Sequence, residues 1–218
     1  MTNNKASGAS SSSHASNKSE SPLQIKDKLR ILCLHGYRQN GDVFRNKLGS
    51  FRKFVAKYAE FVFITAPHRA ALVEPGSEAA SEQRSWWANK DDGTFKVTSI
   101  KPEFAVLCSG FPSGSLVHKS AYEEVIMLPT LHIYGTSDDI IPKEMSQALA
   151  ANFKNVETLE HNGGHFFPAS AQQKQVYVNF FQDRLQEYLE HLELQNSNNT
   201  SFVDEHVDAS SGDSLADD

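Results

Sequence analysis

Leu29-Arg30-Ile31-Leu32-Cys33-Leu34-His35-Gly36 is a short apolar run that stops at a glycine. It suits a buried strand entering a turn. Just beyond it, Phe44, Leu48, Phe51, Val55 and Tyr58 recur at three- and four-residue steps, a helical period, with Gly49-Ser50 placed to split the segment into two short helices. Phe61 to Thr65 reads as a second strand stopped by Ala66-Pro67, Phe104 to Cys108 as a third and Thr130 to Tyr134 as a fourth. Pro142 suits the first turn of a helix through Met145, Leu149 and Phe153. Val156 to Glu160 is a weaker strand, and Val176, Tyr177, Phe180, Phe181, Leu185, Tyr188 and Leu192 stripe a long terminal helix. Strands alternating with helices predict an α/β fold around a mostly parallel sheet.

The whole chain has 218 residues, 39% of them hydrophobic, and a formal charge of −6, which fits one domain of ordinary size. The foldable body is expected over 23–194. Residues 1–22 are serine-rich and lack the apolar core of a signal peptide, so they read as a disordered tail. Residues 195–218 hold Asp204, Glu205, Asp208, Asp213, Asp217 and Asp218 without a Lys or Arg, and they read as a second, acidic disordered tail. That tail is solubilising or serves a basic protein partner. A body close to neutral excludes the basic face of a general nucleic-acid binder, and no run is long enough for a membrane span. Cys33 and Cys108 sit in apolar runs and read as buried thiols of a reducing compartment, which points to the cytoplasm.

In sheets of this kind the chemistry gathers in loops at the carboxyl ends of the strands. Three such loops are unusual. The first, His35-Gly36-Tyr37, exposes the Tyr37 amide past a permissive glycine, where it is either an oxyanion donor or part of an ordinary turn. Gly135-Thr136-Ser137-Asp138-Asp139 places a carboxylate after a strand, and spacing alone does not choose between the two acids. His161-Asn162-Gly163-Gly164-His165 presents His165 on a sharply bent loop. The metal alternative, His161 with His165, requires a helix across two glycines, which helix propensity opposes; neither metal nor cofactor is expected. Trp86-Trp87 lines an acyl pocket or covers the core, Asp91-Asp92-Gly93 reads as a turn, and His132 reads as a satisfied core histidine.

From Lys28 to Leu189 the stretches KLRILCLHGYRQN, FRNKLGSFRKF, AEFVFITAPH, RSWW, CSGF, LPTLHIYGTSDDIIP and NGGHFFPA resemble, in order, those of the α/β-hydrolase serine esterases related to the ovarian-cancer-associated esterase and to a fungal polyketide-releasing thioesterase. The resemblance implies hydrolysis of a small-molecule carboxylic ester or thioester by a Ser-Asp-His triad. It selects Asp138 over Asp139, His165 as the histidine and the Tyr37 amide as an oxyanion donor.

The family's nucleophile stands in a Gly-x-Ser-x-Gly elbow, and no such motif occurs in this chain. Gly110-Phe111-Pro112-Ser113-Gly114 has its serine displaced by one residue, and CSGF with Ser109 matches a later element of the family, so no nucleophile is assigned. Sixteen residues separate Trp87 from Phe104, where a helix, a strand and another helix need roughly 50–70. The junction falls near 99–101. The expected fold is therefore an α/β-hydrolase lacking its central strand and the adjoining helices. Either the flanking strands close on each other or the chain folds poorly. The expected activity is that of a family of esterases reduced to little or no turnover, the alternative being a non-catalytic binding protein that uses the residual acyl pocket or the acidic tail. A single gap with well-matched flanks reads as one excision, by splicing or an error in gene structure, rather than gradual decay.

Overall fold

Strand β1 (Leu29–Leu34) turns Leu29, Ile31 and Cys33 to one face and Arg30, Leu32 and Leu34 to the other. Parallel to it runs β2 (Ala59–Ile64), with Leu32 opposite Val62 and Leu34 opposite Ile64. A parallel pair needs a crossover, supplied by α1 (Gly41–Lys47) and α2 (Gly49–Phe54), which divide at Gly49 as the sequence indicates. The Asn40 side chain caps α1 by accepting from the Val43 amide at 2.8 Å. The structure, a computed structural model, describes residues 28–70, 82–86 and 101–204, the side chains of 117 and 198–204 excepted. Trp87, Asp91-Asp92-Gly93, residues 99–100 of the junction, the first tail and residues 205–218 lie outside the described residues.

A two-residue antiparallel ladder, β3 (His68–Arg69) with β4 (Arg84–Ser85), follows. The second half of the chain forms a parallel sheet in the order β5 (Ala105–Cys108), β6 (Thr130–Gly135), β7 (Val156–His161). A 3₁₀ helix over Leu116–Tyr122 precedes β6, α3 (Lys143–Ala150) links β6 to β7, and α4 (Lys174–Asp204) closes the described chain. Pro142 stands one residue earlier than expected, as the cap of α3. The whole of β6 is buried, as a central strand covered on both faces must be.

The parallel strands flanked by helices have the α/β-hydrolase character expected, but they do not form one sheet. Among the described residues β1 pairs only with β2, and β5 only with β6. The two half-sheets neither close on each other nor fall apart. They share one aromatic core beneath α2 and α4. Phe181 of α4 is fully buried and touches Phe61 of β2 (6.4 Å between ring centroids), Phe104 beside β5 (5.9 Å) and Phe51 of α2 (5.8 Å). Around it, Phe51 meets Tyr177 at 4.9 Å and Phe167 at 4.7 Å, and the Tyr177 hydroxyl donates to the Pro168 carbonyl at 2.6 Å.

The opposite face of the β1–β2 ribbon is apolar and bare among the described residues. Leu32, Val62, Leu34 and Ile64, paired across the register, are 42, 39, 54 and 38% exposed. Parallel α/β sheets ordinarily carry helices on both faces, so these residues have the pattern of a covered strand without its cover.

Two expectations, on Cys108 and His132, need correction. Cys33 is buried, but Cys108 retains exposed surface, because β5 is an edge strand here. Helix α4 runs to Asp204, past the last stripe residue Leu192 and into the segment read as the acidic tail. His132 does lie in the core, edge-on to Phe153 at 5.2 Å, but its Nε2 finds no hydrogen-bond partner among the described residues. Burial lowers its pKa, so the ring is held neutral.

Candidate active site

The loops after β6 and β7 meet at glycines. A Cβ on Gly135 would stand 2.6 Å from the Gly164 carbonyl oxygen and closer still to that of Gly163, so the two backbones can pass only if residue 135 has no side chain. Amides seal the crossing: Thr136 donates to the His161 carbonyl at 2.9 Å and Ser137 to that of Gly163 at 3.1 Å. The Gly135→Ala variant is expected to lose about 1–3 kcal/mol by forcing the loops apart. It should also lose the downfield His165 Nδ1 proton resonance, which NMR alongside a thermal melt would check.

This crossing delivers two side chains to one place. Asp138 is buried, whereas Asp139 is exposed. Oδ1 of Asp138 accepts from the amides of Ile140 (3.0 Å) and Ile141 (2.9 Å), and Oδ2 accepts from Ser109 Oγ and from His165 Nδ1, both at 2.9 Å. Burial alone raises a carboxyl pKa, but the donors from Ile141, His165, Ser109 and Ile140 outweigh it and hold Asp138 below the usual carboxylate value. An ionised carboxylate accepts only, so the His165 proton sits on Nδ1 and the lone pair on Nε2. His165 is half-exposed, and its Nε2 makes no hydrogen bond among the described residues.

A depressed folded-state pKa contributes stability above the unfolded value, about 3.9 for Asp, and that contribution is lost as pH falls through the folded value. Asp138→Asn is therefore expected to be less stable than the parent at neutral pH. The gap should narrow on acidification below about pH 4, a trend that denaturant melts across pH would check.

Neither candidate serine faces that lone pair. Ser109 is held at φ 48°, a left-handed conformation costly for a side-chain-bearing residue, by its amide on the Ile133 carbonyl (2.8 Å) and its hydroxyl on Asp138. It serves the carboxylate and is buried. Ser113 is bonded to His118 Nδ1 at 2.8 Å. Cys108, whose Sγ lies 3.9 Å from the Phe166 carbonyl, does not substitute. Desolvation pushes its pKa up to about 11, so it remains a thiol at neutral pH.

His35-Gly36-Tyr37 belongs to the other half-sheet. His35 is buried, with Nε2 accepting from the Ala66 amide at 3.0 Å. Its Nδ1 therefore carries the proton, which it donates to the Gly36 carbonyl at 2.8 Å. Trp86 covers the ring at 4.9 Å and donates to the His35 carbonyl at 2.7 Å, so this tryptophan is loop cover rather than pocket wall. The Arg38 and Gln39 amides bond to the Arg84 and Gly36 carbonyls, and that of Tyr37 is not among these bonds. No hydrogen bond ties this loop to the Asp138–His165 pair among the described residues.

His161 does not join His165. It is buried at the end of β7, packs on Phe166 at 4.9 Å, accepts from the Gly163 amide on Nδ1 at 3.2 Å and is kept neutral by burial. Sequence reading missed the part of Ser109 and of the two isoleucine amides. The only signal was a serine standing directly between a strand and a glycine.

The profile of the serine hydrolase (FSH1) family matches residues 25–101 and, separately, 94–177. The chain belongs to this family. Among its relatives are an esterase of Drosophila melanogaster, 56% identical over 94% of this chain and 92% of the relative, and one of Drosophila pseudoobscura, 57% identical over 94% and 89%. Esterase OVCA2 of Danio rerio is 34% identical over 70% of this chain and 96% of its own. A crystal structure of esterase PE8 aligns with 72% of this chain and 92% of its own at a TM-score of 0.46 and 16% identity. This serine hydrolase chain is therefore esterase-related throughout its described body. The two family matches overlap at 94–101, the region of the expected junction. Moreover, the Drosophila melanogaster alignment spans 257 positions but takes in 94% of this chain, about 205 residues, so about 52 are filled by the relative alone (257 less 205).

Proposed function

We propose that the chain derives from a serine esterase acting on small-molecule carboxylic esters or thioesters, that it retains the acid–base half of the site, and that it turns over no substrate. The observation that carries this reading is the 2.9 Å Asp138–His165 pair, whose Nε2 makes no hydrogen bond and meets no serine among the described residues. In the complete reaction a serine hydroxyl attacks the ester carbonyl while His165 Nε2 takes its proton. Asp138 holds the imidazolium, and the Tyr37 amide donates to the oxyanion. His165 then passes the proton to the leaving alcohol, and water releases the acid by the same steps. Among the described residues the base and its orienting acid stand ready and no attacking oxygen meets them. No cofactor enters these steps.

A cytoplasmic location and freedom from nucleic-acid partners belong to the same reading. The second reading, a binding protein, draws support from the bare apolar face of β1–β2. The purified chain is expected to hydrolyse p-nitrophenyl acetate no faster than its His165→Ala variant and to take up no fluorophosphonate. Labelling that disappears in His165→Ala overturns the proposal.

A further inference from the structure

Ser109 follows β5 with a backbone that its own side chain makes costly. At φ 48° it stands in the left-handed region, where a glycine is free of strain, and a glycine is the very next residue. The Ser109 amide holds this conformation by donating to the Ile133 carbonyl at 2.8 Å, and the buried hydroxyl is thereby aimed at Asp138 Oδ2, 2.9 Å away. Strain kept beside reactive groups points to a task for the strained side chain.

The four hydrogen bonds to Asp138 divide two and two. Oδ1 takes the amides of Ile140 and Ile141, and these fix the carboxylate from within its own loop. Ser109 is therefore not needed to hold the group in place. Its hydroxyl instead shares Oδ2 with His165 Nδ1, each at 2.9 Å. Two donors on one oxygen divide its negative charge between them, so each bond is weaker than it would be alone. The Asp138 side chain has no exposed surface, so solvent supplies no further donor and the division rests on Ser109.

We propose that Ser109 is a positioning residue acting through Asp138: its hydroxyl draws off part of the charge on Oδ2 and so limits how strongly the carboxylate pulls the His165 Nδ1 proton. The inference rests on the reading above, in which Asp138 and His165 are the acid–base half of an esterase site. With the hydroxyl present the proton stays on the imidazole, which keeps the lone pair on Nε2. Without it the proton is drawn toward the carboxylate.

Proton NMR of the whole chain reads this directly through the low-field Nδ1 resonance, assigned by its loss in His165→Ala. In Ser109→Ala the resonance is expected to remain and to move further downfield. Ser109→Gly removes the same hydroxyl but suits φ 48°, so it should shift the resonance equally while melting higher than the alanine variant. Should Ser109→Ala fail to fold, Ser109→Gly decides alone. A resonance that keeps the parent position or moves upfield overturns the proposal and leaves the Asp138–His165 reading standing. So does its loss with circular dichroism retained, which would make Ser109 a prop for the loop. A shift in the alanine variant that the glycine variant does not share traces the effect to the backbone and also overturns it. A parent chain without the resonance overturns both the proposal and the reading beneath it.

Discussion

Inserting the relatives' additional residues at the 94–101 junction is expected to turn the chain, proposed above to be inactive, into an esterase. Loss of a serine nucleophile alone costs about 10⁶ in kcat in a triad enzyme, so the gain on restoring one should be of that order, read by p-nitrophenyl ester hydrolysis. The large effect is anticipated because the other partners need no rebuilding. Asp138 already takes four hydrogen bonds and His165 already has Nδ1 engaged. Activity must vanish when either the inserted serine or His165 becomes alanine. A folded insertion protein without activity would show that Asp138–His165 is not a charge relay. The melting temperature should rise with activity, since covering four side chains that are now 38–54% exposed adds part of the ~1.5–3 kcal/mol that each gains on full burial.

The sequence was legible where a local period decides the structure. β1, the α1–α2 break at Gly49 and the stripe of α4 all follow from apolar spacing within single segments. Legibility failed where a residue's surroundings come from elsewhere in the chain. Cys108 sits in an apolar run and reads as buried, yet its exposure depends on whether a neighbouring strand lies beside β5. His132 alternates like a core residue, but nothing in its segment tells whether Nε2 meets a partner. The β3–β4 ladder has two residues a strand, too few for any period. The apolar stripe of α4 stops at Leu192, while the backbone continues helical through polar residues that no period marks.

The candidate site divides in the same way. His165 stood out because Gly163-Gly164 marks a bend. The choice of Asp138 over Asp139 rested on family resemblance, and in the structure it is burial and the His165 contact that distinguish the two acids. Ser109 could be seen as a residue but not as a donor to Asp138, because that contact spans 29 positions and depends on a left-handed backbone. Gly135 explains why these residues meet at all, and its reason lies in the Gly163 and Gly164 carbonyls of another loop.

Phe181→Ala is expected to unfold the protein at physiological temperature. Truncating a buried phenylalanine costs about 3–5 kcal/mol, against a total margin of ~5–15 for a domain, and this domain has reason to lie near the low end. In a continuous sheet, backbone hydrogen bonds would run from β1 to β5, and one missing ring would leave them standing. Here none joins those strands among the described residues, so the half-sheets are held together by side chains, with Phe181 against Phe61, Phe104 and Phe51 at their centre. Leu32→Ala is the matched control, because its side chain meets solvent and should change stability by less than about 0.5 kcal/mol. Urea titrations of both variants decide the matter. If Phe181→Ala costs no more than Leu32→Ala, the two halves are joined by something other than the α4 aromatic core. If it instead produces two separate transitions, the half-sheets fold independently once the ring that links them is gone.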